Sequence, residues 1–383
     1  MKKRLLIVSF SPIHRDPRVL RQVDLFRHDY DVVTCGYGSA PEGVVDHIQV
    51  PDHLKAWRAS KLQALALYAS RSYRALYSGA ERTRVALAGI QARPPFAGVI
   101  ANDVLALPLA TRLGVPVHAD LHEYAMGQGT GTAWKLTTGP LLKWAAKSIR
   151  DCASVTTVAP GIAARYEREY GRPVGVVPNS PAYRDDMAVH PTSSPIRLVH
   201  VGAGSPDRSL DLAIEAVQLV NAGQPGSLEF DLYLVPGSRS HIEELRVLAG
   251  DGAVTGVRLR EPVEFSQLVG LINSYDVGVH FIPPVSYNVK HALPNKFFEY
   301  VQARVGMVIG PSVEMAPYVD KYGFGAVANG WGADDLADTL RALSPGVVDG
   351  WKARSDGAAR ELSAEVTSQA WVDAVTAMME RQP

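Results

Sequence analysis

Short apolar runs alternate with stretches of helical period along the whole 383-residue chain. Runs at Arg4–Phe10, Asp31–Gly36, Gly98–Ala101, Val115–Asp120 and Ser154–Ala159 predict strands in the first half, with helical segments between them. A second series at Ile196–Val201, Phe230–Val235, Val257–Leu259, Val277–Ile282 and Met307–Ile309 repeats the pattern. Strands that alternate with helices imply α/β units built on parallel sheets, and exclude all-helical and all-β domains. The series break at Val174-Gly-Val-Val-Pro-Asn179, and the Pro-, Ser- and Asp-rich stretch to Pro195 reads as a linker. Two similar-sized α/β halves leave a cleft between them, the default position for a ligand.

The sharpest local pattern lies between Pro283 and Pro311. After the Val277–Ile282 run comes a polar loop bounded by prolines, and from about Asn295 a short amphipathic helix is expected. Phe297, Phe298 and Val301 share one face at that spacing, while Lys296, Glu299 and Gln302 point elsewhere. Another apolar run, Val305–Ile309, follows almost at once. This is a βαβ unit, and its loop and helix start would sit at the carboxyl end of a strand, where parallel sheets bind ligands. Near the start of the chain, Asp16-Pro17-Arg18 opens a helix, with Asp16 as its cap and Pro17 at a favoured first position.

Composition narrows the class. A hydrophobic fraction of 46% against 20% charged residues lets each half bury a core and excludes a disordered chain. No apolar run reaches the roughly 18 residues of a membrane span. Met1–Phe10 begins like a signal peptide, but its short apolar run ends in Ser11-Pro-Ile-His-Arg-Asp16 and reads better as a buried strand. Cys35 and Cys152 have no metal-ligand spacing, which suits a reducing, cytoplasmic setting without disulfides. Charge is balanced overall but not by halves: residues 1–190 hold 24 Lys+Arg against 16 Asp+Glu, leaving 15 against 23 for the rest. The first half therefore suits an anionic partner. Within it, Leu54–Leu87 reads as a long helix or helix pair carrying Lys55, Arg58, Lys61, Arg71, Arg74, Arg82 and Arg84 among Trp57, Tyr68, Tyr73 and Tyr77; Trp134–Lys147 is a second basic-aromatic segment. Both suit peripheral contact with an anionic inner membrane face, or simply a solvated basic surface.

Several positions carry candidate chemistry. Gly202 and Gly204 follow a strand and precede a helix, so backbone amides there can approach a phosphate. Asp207 stands where a dinucleotide fingerprint has its third glycine, which argues against a nicotinamide oxidoreductase. Arg208 suits a diphosphate or plain exposure. Lys296 and Glu299, three apart, can pair an ammonium with a phosphate and a carboxylate with a ribose diol, or form an ordinary surface pair. His122-Glu123, Asn102-Asp103 and His14-Arg15-Asp16 each follow a first-half strand and could meet an acceptor.

Arg15-Asp-Pro-Arg-Val-Leu-Arg-Gln22, Ala119-Asp-Leu-His-Glu-Tyr124, Val176-Val-Pro-Asn179, Val199–Arg208, Leu293-Pro-Asn-Lys-Phe-Phe-Glu-Tyr300 and Thr367-Ser-Gln-Ala-Trp371 occur in that order over nearly the whole chain. Together they resemble the GT-B glycosyltransferases, and among them family 4 and its retaining relatives; Pro294–Tyr300 is the most specific element. The resemblance implies a GT-B α/β fold of two Rossmann-like domains: residues 1–182 binding the acceptor, 183–365 binding the donor, and a terminal helix in 366–383 returning to the first domain. It implies that Glu299 binds the donor ribose and that Lys296 and Arg208 bind the diphosphate. Gly202, Gly204 and the loop His291–Asn295, with Leu293 and Pro294, would line the donor. His122 would face the reacting sugar. His14, Arg15, Asp16, Asp103 and Glu123 stand on the acceptor side.

No metal and no cofactor are expected beyond the nucleotide-sugar co-substrate. UDP-sugars are favoured and GDP-sugars remain open, as do glycan, lipid-linked and small-molecule acceptors; no nucleic acid is expected. The chain departs from family 4 in having His291 where a Glu is common, eight residues before Glu299, and Ala203 where an Arg is common. A nucleotide-sugar epimerase or hydrolase of the same fold, and a non-catalytic sugar-nucleotide binder, are the alternatives. An inverting reaction would need a general base, for which His14, Asp16 and Asp103 are the candidates.

Overall fold

The apolar runs fold into two parallel sheets. The structure is a computed structural model that describes residues 2–54, 61–129 and 131–380. Contacts divide the chain into two units, Met1–Val177 with Gln369–Pro383, and Pro178–Ser368.

In the first unit the strands are β1 (Arg4–Pro12), β2 (Asp31–Tyr37), β3 (Asp46–Gln49), β4 (Gly98–Asn102), β5 (Val117–Leu121), β6 (Ser154–Thr157) and β7 (Gly175–Val176), in the order β3-β2-β1-β4-β5-β6-β7. All neighbours pair in parallel. The run that begins like a signal peptide is β1, with Leu5–Val8 fully buried in the sheet. Asp16 caps the Pro17–Phe26 helix, accepting from the backbone N–H groups of Arg18 and Val19 at 3.1 and 3.2 Å. The segment read as one long helix or a pair is three helices, Lys61–Ala69, Tyr73–Gly79 and Glu81–Gln91; Lys55, Trp57 and Arg58 lie outside the described residues. The Gln369–Glu380 helix belongs to this unit. Its Trp371, Val375, Met378 and Met379 join Leu5, Ile7, Val19 and Ile100 in one core.

The second unit has β8 (Ile196–Gly204), β9 (Leu228–Pro236), β10 (Val257–Arg260), β11 (Val277–His280), β12 (Gly306–Ile309) and β13 (Gly325–Val327), in the order β10-β9-β8-β11-β12-β13, again parallel throughout. The stretch read as a linker is fastened to this unit. Arg184 N–H donates to Gln302 Oε1 at 3.1 Å, Thr192 N–H to Asp349 at 2.8 Å, and Ser193 N–H to Asp276 at 3.3 Å. Buried Asp276 also pairs with buried Lys352 at 2.5 Å. A carboxylate taken out of water needs donors on every side, and the nominal linker supplies some of them.

In each sheet the strand order reverses once, between β1 and β4 and between β8 and β11. Connections leave in opposite directions there, opening a crevice beyond the carboxyl ends of those strands. Strands β3, β7 and β13 lack a run of apolar residues long enough to announce them. Cys35 and Cys152 are buried and unlinked. Among the described residues no helix is long and apolar enough to cross a membrane.

Candidate functional site

The Asn295–Gln302 helix differs from its expected one-sided form. Phe297, Phe298, Tyr300 and Val301 are fully buried, and so are Glu299 and Gln302. The helix lies inside the unit, with neighbours all round rather than a solvent face. Each buried Phe contributes roughly 1.5–3 kcal/mol of transfer free energy, enough to hold the charged residues of this helix out of water. Phe297 packs edge-on against Phe298, Tyr318 and Phe324. Gln302 finds a partner in the carbonyl of Ala359 at 2.5 Å.

Glu299 is only 4% exposed, and Lys296 is partly buried one turn away on the same helix. Among the described residues Lys296 makes no hydrogen bond or ion pair. Burial pushes the Glu299 carboxyl up to about 7, against the pull of Lys296. Burial likewise pushes the Lys296 ammonium down to about 8, with Glu299 opposing and Arg208 assisting. Both charges are therefore strained in the free protein, and a ligand that satisfied them would be bound strongly.

Strand β8 brings the glycines here. Gly202, still part of the strand, has φ of +151°, a backbone setting that favours glycine. A Cβ at Gly202 would overlap the Lys296 ammonium nitrogen and stand 3.5 Å from His200 Nε2. The missing side chain is the space the lysine reaches into. Gly204 serves packing instead, because a Cβ there would overlap Ile242 and press on Leu234. Arg208 does not start the following helix. It ends a short 3-10 turn, Pro206–Arg208, before the Leu210–Gly223 helix, and pairs with Asp207 at 3.5 Å. Its charge still bears on Lys296 and on both buried histidines, His200 and His280.

The loop before the helix is partly internal. Leu293 is core, Pro294 caps the helix, and Asn295 is exposed. His291 Nδ1–H donates to the buried Glu314 carboxylate at 2.6 Å, and its ring lies against Tyr287 with centroids 4.5 Å apart. A carboxylate thus stands directly behind position 291, delivered by a residue 23 positions later.

In the first unit the candidates gather at the carboxyl ends of β4 and β5. The His122 backbone N–H donates to Asp103 Oδ1 at 3.0 Å, and its ring Nε2 lies 3.1 Å from Asn102 Oδ1. Asp103 has a positive φ of 63°. Glu123 accepts from Gln128 at 2.9 Å. Beneath them sits Asp120, fully buried, taking two bonds of 2.7 Å from Arg18 and further bonds from Gln22, Thr156 and the Trp371 indole. Burial alone would raise the Asp120 carboxyl, but the Arg18 charge and hydrogen bonds hold it well below the ordinary range. Arg21, stacked on Trp371 at 5.1 Å, is lowered to about 9 by burial and then by Arg18. His14 and Arg15 do not join this group: the His14 ring packs over Gly38, and Arg15 is exposed. Asp16 is occupied as a cap and by Ser11 Oγ at 2.6 Å.

Sequence reasoning missed His200, His280 and Glu314. The histidines sit inside apolar strand runs, His200 midway along β8 and His280 at the end of β11, and the local pattern does not single them out. Glu314 gives no local signal.

No protein-family model matches this chain, and no curated protein matches it by sequence. Solved structures do. An E. coli structure described as trehalose-6-phosphate bound with UDP-2-fluoro glucose matches with a TM-score of 0.72 at 10% identity, over 100% of both chains. Sucrose-phosphate synthase from Thermosynechococcus elongatus matches with a TM-score of 0.71 at 11% identity, also over 100% of both. A UDP-forming α,α-trehalose-phosphate synthase from Burkholderia xenovorans, in complex with glucose-6-phosphate, matches with a TM-score of 0.67 at 12% identity, over 97% of this chain and 100% of the other. At such identities the likeness is one of fold, and the chain has the α/β GT-B fold of two Rossmann-like units.

Proposed function

We propose that this protein is a glycosyltransferase that moves a sugar from a nucleoside diphosphate sugar to an acceptor hydroxyl. The observation that carries the reading is the half-buried Lys296 reaching over Gly202 beside buried Glu299, at the switch point of the second sheet. An ammonium without a partner among the described residues suits a diphosphate, and a desolvated carboxylate suits a ribose diol. A UDP-sugar is favoured, in keeping with the UDP-2-fluoro glucose of one structure of the same fold; a sugar or sugar phosphate is the favoured class of acceptor, in keeping with the glucose-6-phosphate of another. His122 and Glu123 are the acceptor-side candidates of the first unit. The resemblance of the Pro294–Tyr300 motif to family 4 supports a reading nearer to that family than to other GT-B families.

In this reading the bond between the donor's anomeric carbon and the diphosphate oxygen breaks, and its electron pair leaves on the phosphate. The acceptor oxygen bonds the same carbon from the same face, and its proton passes to the departing phosphate. Lys296 and Arg208 stabilise the charge that develops on the leaving group, without a metal ion. We place the enzyme in the cytoplasm, with its basic first unit touching an anionic membrane face when the acceptor is lipid-linked. Mixing the protein with a panel of UDP- and GDP-sugars and acceptors should release nucleoside diphosphate, with no loss in a chelator. The release should disappear in Glu299→Ala and Lys296→Ala. Full activity in both variants would sink the assignment, and equal turnover without acceptor would instead identify a hydrolase or epimerase.

A further inference from the structure

The second sheet holds a polar pair that the proposed chemistry leaves idle. His200, midway along β8, and His280, the last residue of β11, flank the switch point with their rings nearly parallel, 11° apart, and centroids separated by 6.5 Å. His200 Nδ1 lies 2.9 Å from the carbonyl oxygen of Val279. A carbonyl only accepts, so Nδ1 carries the proton, and Nε2 of the neutral ring is a bare lone pair. That Nε2 is buried with no hydrogen-bond partner among the described residues. The gap that a Gly202 Cβ would fill is bordered by this lone pair and by the Lys296 ammonium. Burial, and then the charge of Lys296, push His200 down to about 3, so the ring stays neutral at any ordinary pH. A bare lone pair repels phosphate oxygens and attracts an ammonium.

We propose that His200 is a positioning residue whose Nε2 lone pair steers the Lys296 ammonium over Gly202 and keeps it charged and aimed at an anionic ligand. This role rests on the donor-site reading above and adds to it a residue that touches no substrate. The groups whose charge or ring faces Lys296 are Glu299 on its own helix, Arg208 from the turn after β8, and His200 and His280 from the two strands. Glu299 and Arg208 act through charge and oppose one another. His200 acts through its lone pair, which favours the protonated amine.

The test compares the full-length protein with H200F, which keeps a ring but removes the lone pair, and with H200Q, which restores an acceptor at similar reach. H200N, too short to replace Nε2, is a second loss variant should H200F fail to fold. Lys296 is followed by NMR of 13C-labelled lysine, assigned with K296R, and UDP affinity is measured by calorimetry across pH. The Lys296 midpoint should fall by about one pH unit in H200F and H200N and return in H200Q. UDP affinity near pH 8 should then drop about fivefold in the loss variants, with little change near pH 6, because the protonated fraction falls from about a half to about a tenth. The same midpoint in all four proteins would overturn the proposal. An equal shift in H200Q and H200F would reduce His200 to packing and overturn it too. Wild-type protein that binds neither UDP nor GDP would count against the donor-site reading instead, while the lysine titration would still decide the role of His200.

Discussion

The two units bury ionisable groups at equivalent places, the carboxyl ends of a parallel sheet, and treat them in opposite ways. In the first, Asp120 is saturated: Arg18 grips both oxygens, and Gln22, Thr156 and Trp371 fill the remaining directions. In the second, Lys296 has no hydrogen-bond or ion-pair partner among the described residues, and His200 Nε2 and His280 Nδ1 are buried with none there. The physical difference decides what each cluster is for. A buried charge with every lone pair occupied is part of the architecture. A buried charge left short of partners raises the energy of the free protein, and that energy is recovered when a ligand supplies what is missing. The shifts agree: Asp120 is held ionised, whereas Glu299 and Lys296 are both pushed toward neutrality.

The comparison breaks most easily at Asp120. Asp120→Ala leaves the Arg18 guanidinium buried without its carboxylate, and urea denaturation should record a loss of about 3–5 kcal/mol. A loss under about 1 kcal/mol would mean that the network is not structural. In the second unit the same measurement should move little, or upward, for Lys296→Met and Glu299→Gln, because each removes a desolvated charge. Their cost should appear in nucleoside diphosphate affinity, about 10–100-fold by calorimetry, the worth of one charge-assisted hydrogen bond.

A gentler probe is pH. Glu299 is raised above its ordinary value, so its ionised form is lost as pH falls through about 7; Lys296 is depressed, so its charged form is lost as pH rises through about 8. A ligand that needs the carboxylate and the ammonium together should bind along a bell with limbs near those two values. Glu299→Gln should erase the acid limb alone. For the free protein the signs are reversed. Raised Glu299 costs stability as pH climbs from its unfolded value to about 7, and depressed Lys296 costs it as pH falls from its unfolded value to about 8. Ligand should therefore stabilise the fold most between those limbs, as thermal melts with and without UDP can show. The smallest effect is expected at Asp16. Removing this cap by Asp16→Ala should cost about 1 kcal/mol, with the Asp120 network and the nucleotide site both unchanged.

Local pattern made much of this legible. Period-two and continuous apolar runs marked ten of the thirteen strands among the described residues, because a strand covered on both faces must be apolar along its length. Pro17 and Asp16 marked a helix start through one fixed dihedral and one side-chain oxygen. Helical spacing brought Lys296 and Glu299 together, since residues three apart share a face whatever surrounds the helix. The order of motifs placed Arg18, Asp120 and Trp371 in one list, without saying that they touch.

Partnership was decided by the tertiary structure. Local spacing cannot tell that Trp371 returns to Asp120 across 251 positions, that Glu314 stands behind His291, or that a histidine in each of two apolar runs would end beside the same lysine. Nor can it tell that Glu299 and Gln302 are buried along with the phenylalanines that precede them. Periodicity reports which side of an element a residue occupies. Whether that side meets water, a saturating partner or an unfilled gap depends on the chain that folds over it, and at this site that difference separates a structural charge from one that awaits a ligand.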